Sequence, residues 1–148
     1  GTPRGSFAAN YIFNEVTSTG ADARVDKFEA VTPEGRKQFC NVYAKFVFDP
    51  SQPWIVLLSH FDTKKGVDCP GANDGASTTG LLMALSDILV RERISLKRNL
   101  LLVWTDGEEC YKEYAENDGL WGAKRALEHI KSQDYSVRAV ICLDMLGD

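Results

Sequence analysis

Three apolar runs lack any polar alternation: residues 54–58, residues 100–104 and residues 140–143. Continuous apolar runs of this length mark strands covered on both faces. Between the first two, residues 75–90 carry Leu81, Leu82, Leu85, Ile88 and Leu89 at helical spacing,. Between the last two, Leu120, Ala123, Leu127 and Ile130 form a second stripe, with Asp118 available as its N-cap,. Strand, helix, strand, helix, strand predicts parallel β-α-β units with helices on both sides of the sheet. Upstream, Ser6 can cap a first helix with Phe7, Tyr11, Ile12 and Val16 inward and Gly20 near its end,. Two strands follow at about 24–31 and 39–48, joined by the turn chemistry of Thr32-Pro33-Glu34-Gly35,. In the second, Val42, Ala44, Phe46 and Phe48 alternate with more polar positions, as on a strand with one buried face,. This pair should add antiparallel strands at the sheet's edge. The fold class is α/β: a mixed, mostly parallel sheet flanked by helices.

Composition leaves that picture intact and narrows the partners. The 148 residues are 44% hydrophobic and 26% charged, with a net charge of -4. That suits one domain with a real core and gives no surface for phosphate backbones, so nucleic acid is excluded as a partner. Arg91, Arg93, Lys97 and Arg98 read as a solvated helix end,. No apolar run is long enough to span a bilayer. The four cysteines form no C-x-x-C pair,. Cys142 reads as a small core residue, whereas Cys69 and Cys110 lie in polar loops and can pair as a disulfide in an exported protein.

The chemistry gathers where the apolar runs end. The first ends in Ser59-His60-Phe61-Asp62, the second in Thr105-Asp106-Gly107-Glu108-Glu109, and the third in Asp144. The polar loop Gly71-Ala72-Asn73-Asp74-Gly75 leads into the long helix. Ligands of open α/β sheets bind beyond the C-terminal strand ends, so these groups converge on one edge. Carboxylates that crowded repel one another unless a divalent cation compensates them. One histidine among carboxylates suits Zn²⁺, with Mn²⁺ or Co²⁺ close behind. His60 and Asp62 are two apart and face the same way in extended chain, so Asp62 can orient the imidazole. Glu108 and Glu109 are adjacent and diverge, so one can hold metal while the other serves as general base. Asp74 alone would be an ordinary N-cap, and Asp106 a turn former.

Together with Gly119-Leu120-Trp121-Gly122-Ala123 and Leu143-Asp144-Met145, these motifs resemble the co-catalytic zinc aminopeptidases of the bacterial leucyl aminopeptidase type. Glutaminyl-peptide cyclotransferases share that fold and much of the pattern. The resemblance runs nearly end to end. It implies a three-layer zinc-exopeptidase-like fold and a peptide substrate whose N-terminal bond is hydrolysed by a metal-activated water. His60 would bind one zinc, Asp74 would bridge two, Glu109 would bind the second, and Asp144 would complete the first. Glu108 would be the general base and Asp62 would support His60.

Two departures shape the expectation. The family supplies a further histidine ligand downstream of Asp144. Here the only other histidine, His129, reads as a surface or boundary residue of the third helix. Residues 1–148 are therefore expected to be the incomplete N-terminal portion of one exported catalytic domain. The second departure is the long segment 110–118. It resembles the cyclotransferases, which use one zinc, keep Asp74 and Glu109 as ligands and let Asp144 bond substrate. Tyr114 only approximates the aromatic residue that cyclotransferases carry there. Tyr111 and Tyr114 read equally as exposed loop aromatics or as a substrate wall, and Trp121 as packing that borders the site. The expected activity is aminopeptidase, with cyclotransferase as the alternative and a non-catalytic peptidase-like module as the competing class.

Overall fold

The run at 100–104 becomes the spine of the sheet: strand β4 (Asn99–Thr105) is buried at every position. Strand β3 (Trp54–His60) lies parallel to β4, with Leu58 opposite Val103 and His60 opposite Thr105. The computed structural model describes residues 3–147. Within it, helix α1 (Pro3–Ser18) leads to β1 (Asp22–Thr32) and β2 (Gly35–Phe46), an antiparallel hairpin that joins the sheet through β2 beside β4. After β3 come a π-helical turn (Ala72–Ser77) and α2 (Thr78–Arg91); after β4 come α3 (Trp121–Ser132) and β5 (Val137–Cys142). The strand order is β1-β2-β4-β3-β5.

Alternation within the central strands divides the core in two. Val42, Ala44, Leu100, Leu102 and Trp104 pack with Ala9, Ile12 and Val16 of α1 and with Leu82 and Leu89 of α2. Tyr43, Leu101 and Val103 face the other way and pack with Ala126 of α3. Each fully buried Leu or Val contributes about 1.5–3 kcal/mol relative to exposure. The chain leaves β3 through α2 to reach β4 on one side, then leaves β4 through α3 to reach β5 on the other. That reversal puts a crevice at the C-terminal ends of β3 and β4, where open sheets bind ligands.

Several expectations shift. Helix α1 begins by Pro3, a residue preorganised for a first helical turn, so Ser6 lies inside it rather than capping it,. Its inner face is Ala9, Ile12 and Val16, while Phe7 and Tyr11 are exposed. Strand β2 is internal and buried on both faces from Phe39 to Ala44, because β1 takes the edge and helices cover both sides. Among the described residues strand β5, read as doubly covered, pairs only with β3, and Val140 is 59% and Ile141 46% exposed. Cys142 is likewise exposed. Along α3 the buried positions are Trp121, Gly122, Ala126 and His129, leaving Leu120 and Leu127 exposed. His129 is buried against the edge of Tyr43 and paired with Arg24, on the α3 face of the sheet. No helix among the described residues is long and apolar enough to cross a membrane.

Candidate metal centre

His60 ends β3, and its surroundings fix both its position and its tautomer. Ser59 Oγ and Thr78 Oγ1 share a hydrogen bond of 2.7 Å, and Thr79 Oγ1 donates to the His60 carbonyl at 2.9 Å. The end of β3 is thereby tied to the start of α2. Nδ1 of His60 lies 3.2 Å from the Asp62 carbonyl oxygen. A carbonyl only accepts, so in the neutral ring Nδ1 carries the hydrogen and Nε2 offers a lone pair. That Nε2 is buried and has no hydrogen-bond partner. It sits 2.9 Å from Asp74 Oδ1 and 3.4 Å from Asp144 Oδ1, without hydrogen-bond geometry to either.

The π-helical turn delivers Asp74. Inside it Asp74 (φ -82°, ψ 100°) and Gly75 (φ 89°) leave helical geometry, so Asp74 is not the N-cap of α2, which starts only at Thr78. Gly75 is required there twice over. Its φ is left-handed, and a Cβ would stand 3.0 Å from His60 Cε1,. On the far side, the Gly147 N–H donates to Asn73 Oδ1 at 2.7 Å, fastening the segment after β5 to the same loop.

One ligand atom each from His60, Asp74 and Asp144 lies within 4.8 Å of the others. An orphaned imidazole nitrogen aimed between two carboxylates is the donor set of a zinc ion, and these residues fit one. Without a metal, burial opposes charge on the ring, but Asp62, Glu108 and Asp144 outweigh it and push His60 up to about 9. Glu109 stands outside this trio. Burial and the Asp74 charge raise its carboxyl above the usual range, and Lys64 Nζ lies 3.7 Å from its Oε2.

Asp62 does more than the sequence implied. Its carboxylate is 3.6 Å from His60 Nδ1, yet it also accepts the backbone N–H of Glu108 at 2.9 Å and of Glu109 at 3.1 Å. Burial raises the Glu108 carboxyl despite the nearby His60 charge, as suits a group that takes and returns a proton,. Tyr114, 56% exposed, donates its hydroxyl to Glu108 Oε2 at 3.1 Å and lies 3.4 Å from Glu109 Oε2. The loop carrying it is clamped by Asp118, which accepts the N–H groups of Tyr111, Lys112 and Glu113 rather than capping α3.

Beside these residues opens a cavity of about 380 Å³, bordered by Asp62, Lys64, Glu109, Tyr111 and Trp121. Trp121 is buried, stacked on Phe39 with its edge to Tyr111, so it packs first and borders the cavity second. Asp106, buried beneath, accepts the Cys40 N–H at 3.1 Å. All four cysteines are free: Cys110 is buried and contacted by Lys64, whereas Cys69 is exposed, and the two are not bridged. The roles of Asp118 and Lys64 escaped the sequence reading. Only an unusual density of loop carboxylates near Gly119 hinted at the first.

The profile of Peptidase family M28 matches residues 41–148. Among curated proteins, the glutaminyl-peptide cyclotransferase of Dictyostelium discoideum is 30% identical, covering 99% of this chain and 51% of its own. That of Drosophila melanogaster is 29% identical, covering 99% and 44%. The chain spans about half the length of the curated relatives it matches. Among solved structures, glutaminyl cyclase of an Acidobacteriales bacterium superposes with a TM-score of 0.88 at 28% identity, covering all of this chain and 52% of that one. A leucine aminopeptidase precursor from Bacteroides thetaiotaomicron gives 0.81 at 20% identity over 99% and 56%, a likeness of fold alone. The family profile runs from before His60 to beyond Asp144, through all three strand ends that bear the acidic groups, and the chain belongs to peptidase family M28.

Proposed function

We propose that the parent protein is a zinc-dependent glutaminyl-peptide cyclotransferase acting on peptides with an N-terminal glutamine. The observation that carries this reading is the likeness to cyclotransferases over 99% of the chain. In the reaction, the α-amine nitrogen attacks the side-chain carbonyl carbon, a five-membered ring closes and ammonia departs. Glu108 takes a proton from the amine and returns it to the leaving nitrogen, a role supported by its partial burial and by the Tyr114 hydroxyl that holds one of its oxygens,. When bound, zinc supplies Lewis acidity to the attacked carbonyl. Asp74 and Glu109 are the residues of this chain that would hold it, with Asp144 free to bond substrate.

A second reading, an aminopeptidase with two metals, is favoured by one specific observation. His60, Asp74 and Asp144 lie close enough together to hold a metal ion, which a single-zinc cyclotransferase does not need. The two readings separate in the full-length protein by counting zinc and assaying a glutaminyl peptide beside an aminoacyl arylamide. One zinc with ammonia release supports the cyclotransferase. Two metals with arylamide hydrolysis would replace it with the peptidase.

A further inference from the structure

Lys64 Nζ lies 2.7 Å from Cys110 Sγ. Sulfur is larger than oxygen, so an ordinary N–H···S contact is longer than the roughly 2.7–3.2 Å of N–H···O. The pair is held in place from both sides. Cys110 is buried at 4% exposure, immediately after Glu109. The Lys64 side chain is 30% exposed, with its ammonium 3.7 Å from Glu109 Oε2 and 5.6 Å from the centre of the Tyr114 ring. Both residues line the 380 Å³ cavity, which gives a diatomic oxidant a path to the sulfur. None of the other three cysteines lies against a lysine amine in this way among the described residues.

We propose that Lys64 and Cys110 are a site of oxidative cross-linking, in which dioxygen inserts one oxygen atom between Sγ and Nζ. The separation is one that a single bridging oxygen spans. The ammonium first gives one proton to solvent. The S–H bond, one N–H bond and the O–O bond then break, while S–O and N–O bonds form. The second oxygen leaves as water with the two hydrogens. Sulfur and nitrogen each lose two electrons, and dioxygen takes up all four. Excess dithiol reverses the step, returning thiol, amine and a further water. The bridge fastens the loop after β3 to the loop after β4 and replaces a cation beside Glu109 with a neutral group. The covalent step itself does not depend on which reaction the metal centre performs.

The test is peptide mapping by mass spectrometry of the full-length protein, prepared in air and, separately, without oxygen under reductant. A peptide pair joined at Lys64 and Cys110, heavier than its parts by one oxygen and lighter by two hydrogens, is expected in air alone. It should vanish after dithiol treatment and be absent in Lys64→Arg and Cys110→Ser. Mapping the wild type alone decides the matter if Cys110→Ser does not fold. Unlinked peptides after exposure to air, a Cys69–Cys110 disulfide, a link lacking the oxygen, or a sulfinic acid at Cys110 would each overturn the proposal.

Discussion

The Asp62 carboxylate accepts the backbone N–H of Glu108 at 2.9 Å, so the residue beside the histidine also sets the course of the acidic loop after β4. A second oxygen takes the Glu109 N–H at 3.1 Å. Hydrogen bonds to a charged acceptor are worth about 1.5–3 kcal/mol each. Asp62→Ala should therefore destabilise by up to about 3–6 kcal/mol and weaken zinc binding about 10–100-fold. Urea unfolding and zinc competition titration measure the two effects. A variant that keeps both properties would show that the loop holds itself.

Glu108→Gln in the full-length enzyme should lower turnover by about 10²–10⁴. Its zinc content should be unchanged, because Glu108 lies outside the His60, Asp74 and Asp144 group and in neither reading of the site is it a ligand. Metal analysis beside the rate assay checks this. Loss of zinc with the rate would mean that Glu108 and Glu109 exchange roles.

Gly75→Ala tests the π-helical turn. At φ 89° and ψ -46° the backbone lies outside the left-handed helical well, so an alanine costs more than the roughly 1–2 kcal/mol of that well,. The added methyl also presses on His60 Cε1 from 3.0 Å. Zinc affinity should fall further than stability does. Equal affinity in the variant would mean that the ring yields without consequence.

Asp106 gives the protein a pH dependence of unusual sign. Burial, with the Asp62 charge adding to it, pushes its carboxyl up to about 6 from an ordinary 3.8. The folded state then binds more protons than the unfolded state between those values, so stability falls as pH rises through that window. The loss amounts to about 3 kcal/mol at most. Asp106→Asn keeps an acceptor for the Cys40 N–H and should remove this slope, gaining on the wild type above pH 6. Urea midpoints from acid to neutral pH are the measure, and an unchanged slope in the variant would refute the assignment.

The legible part of this molecule was what side-chain chemistry decides locally. The unbroken run at 100–104 read as a doubly covered strand and is one. The acidic strand ends read as converging, and His60, Asp74 and Asp144 do meet. What escaped depends on neighbours distant in sequence. Residues 140–142 do form a parallel strand beside β3, but among the described residues no element covers Val140 and Ile141. Phe7 and Tyr11 fit a helical stripe with Ile12 and Val16, which are buried, yet α1 leaves the two aromatics exposed and buries Ala9. Asp118 had the composition of a cap, but the three N–H groups of residues 111–113 outcompeted the helix for its carboxylate.

The π-helical turn and the segment after β5 meet at one point, with Asp74 on one side of His60 Nε2 and Asp144 on the other. In the two-metal reading, a cation shared by these residues closes the chain between the end of β3 and the end of β5 into a loop. Closing such a loop lowers the entropy of the opened chain much as a covalent staple does. Strand β5 should then loosen when a chelator is added, while β4 stays protected. Amide hydrogen exchange would register this as faster exchange at Val140 and Ile141 with Leu101 and Val103 unchanged. In that reading the centre that organises the chemistry also clasps the end of β5 to the end of β3.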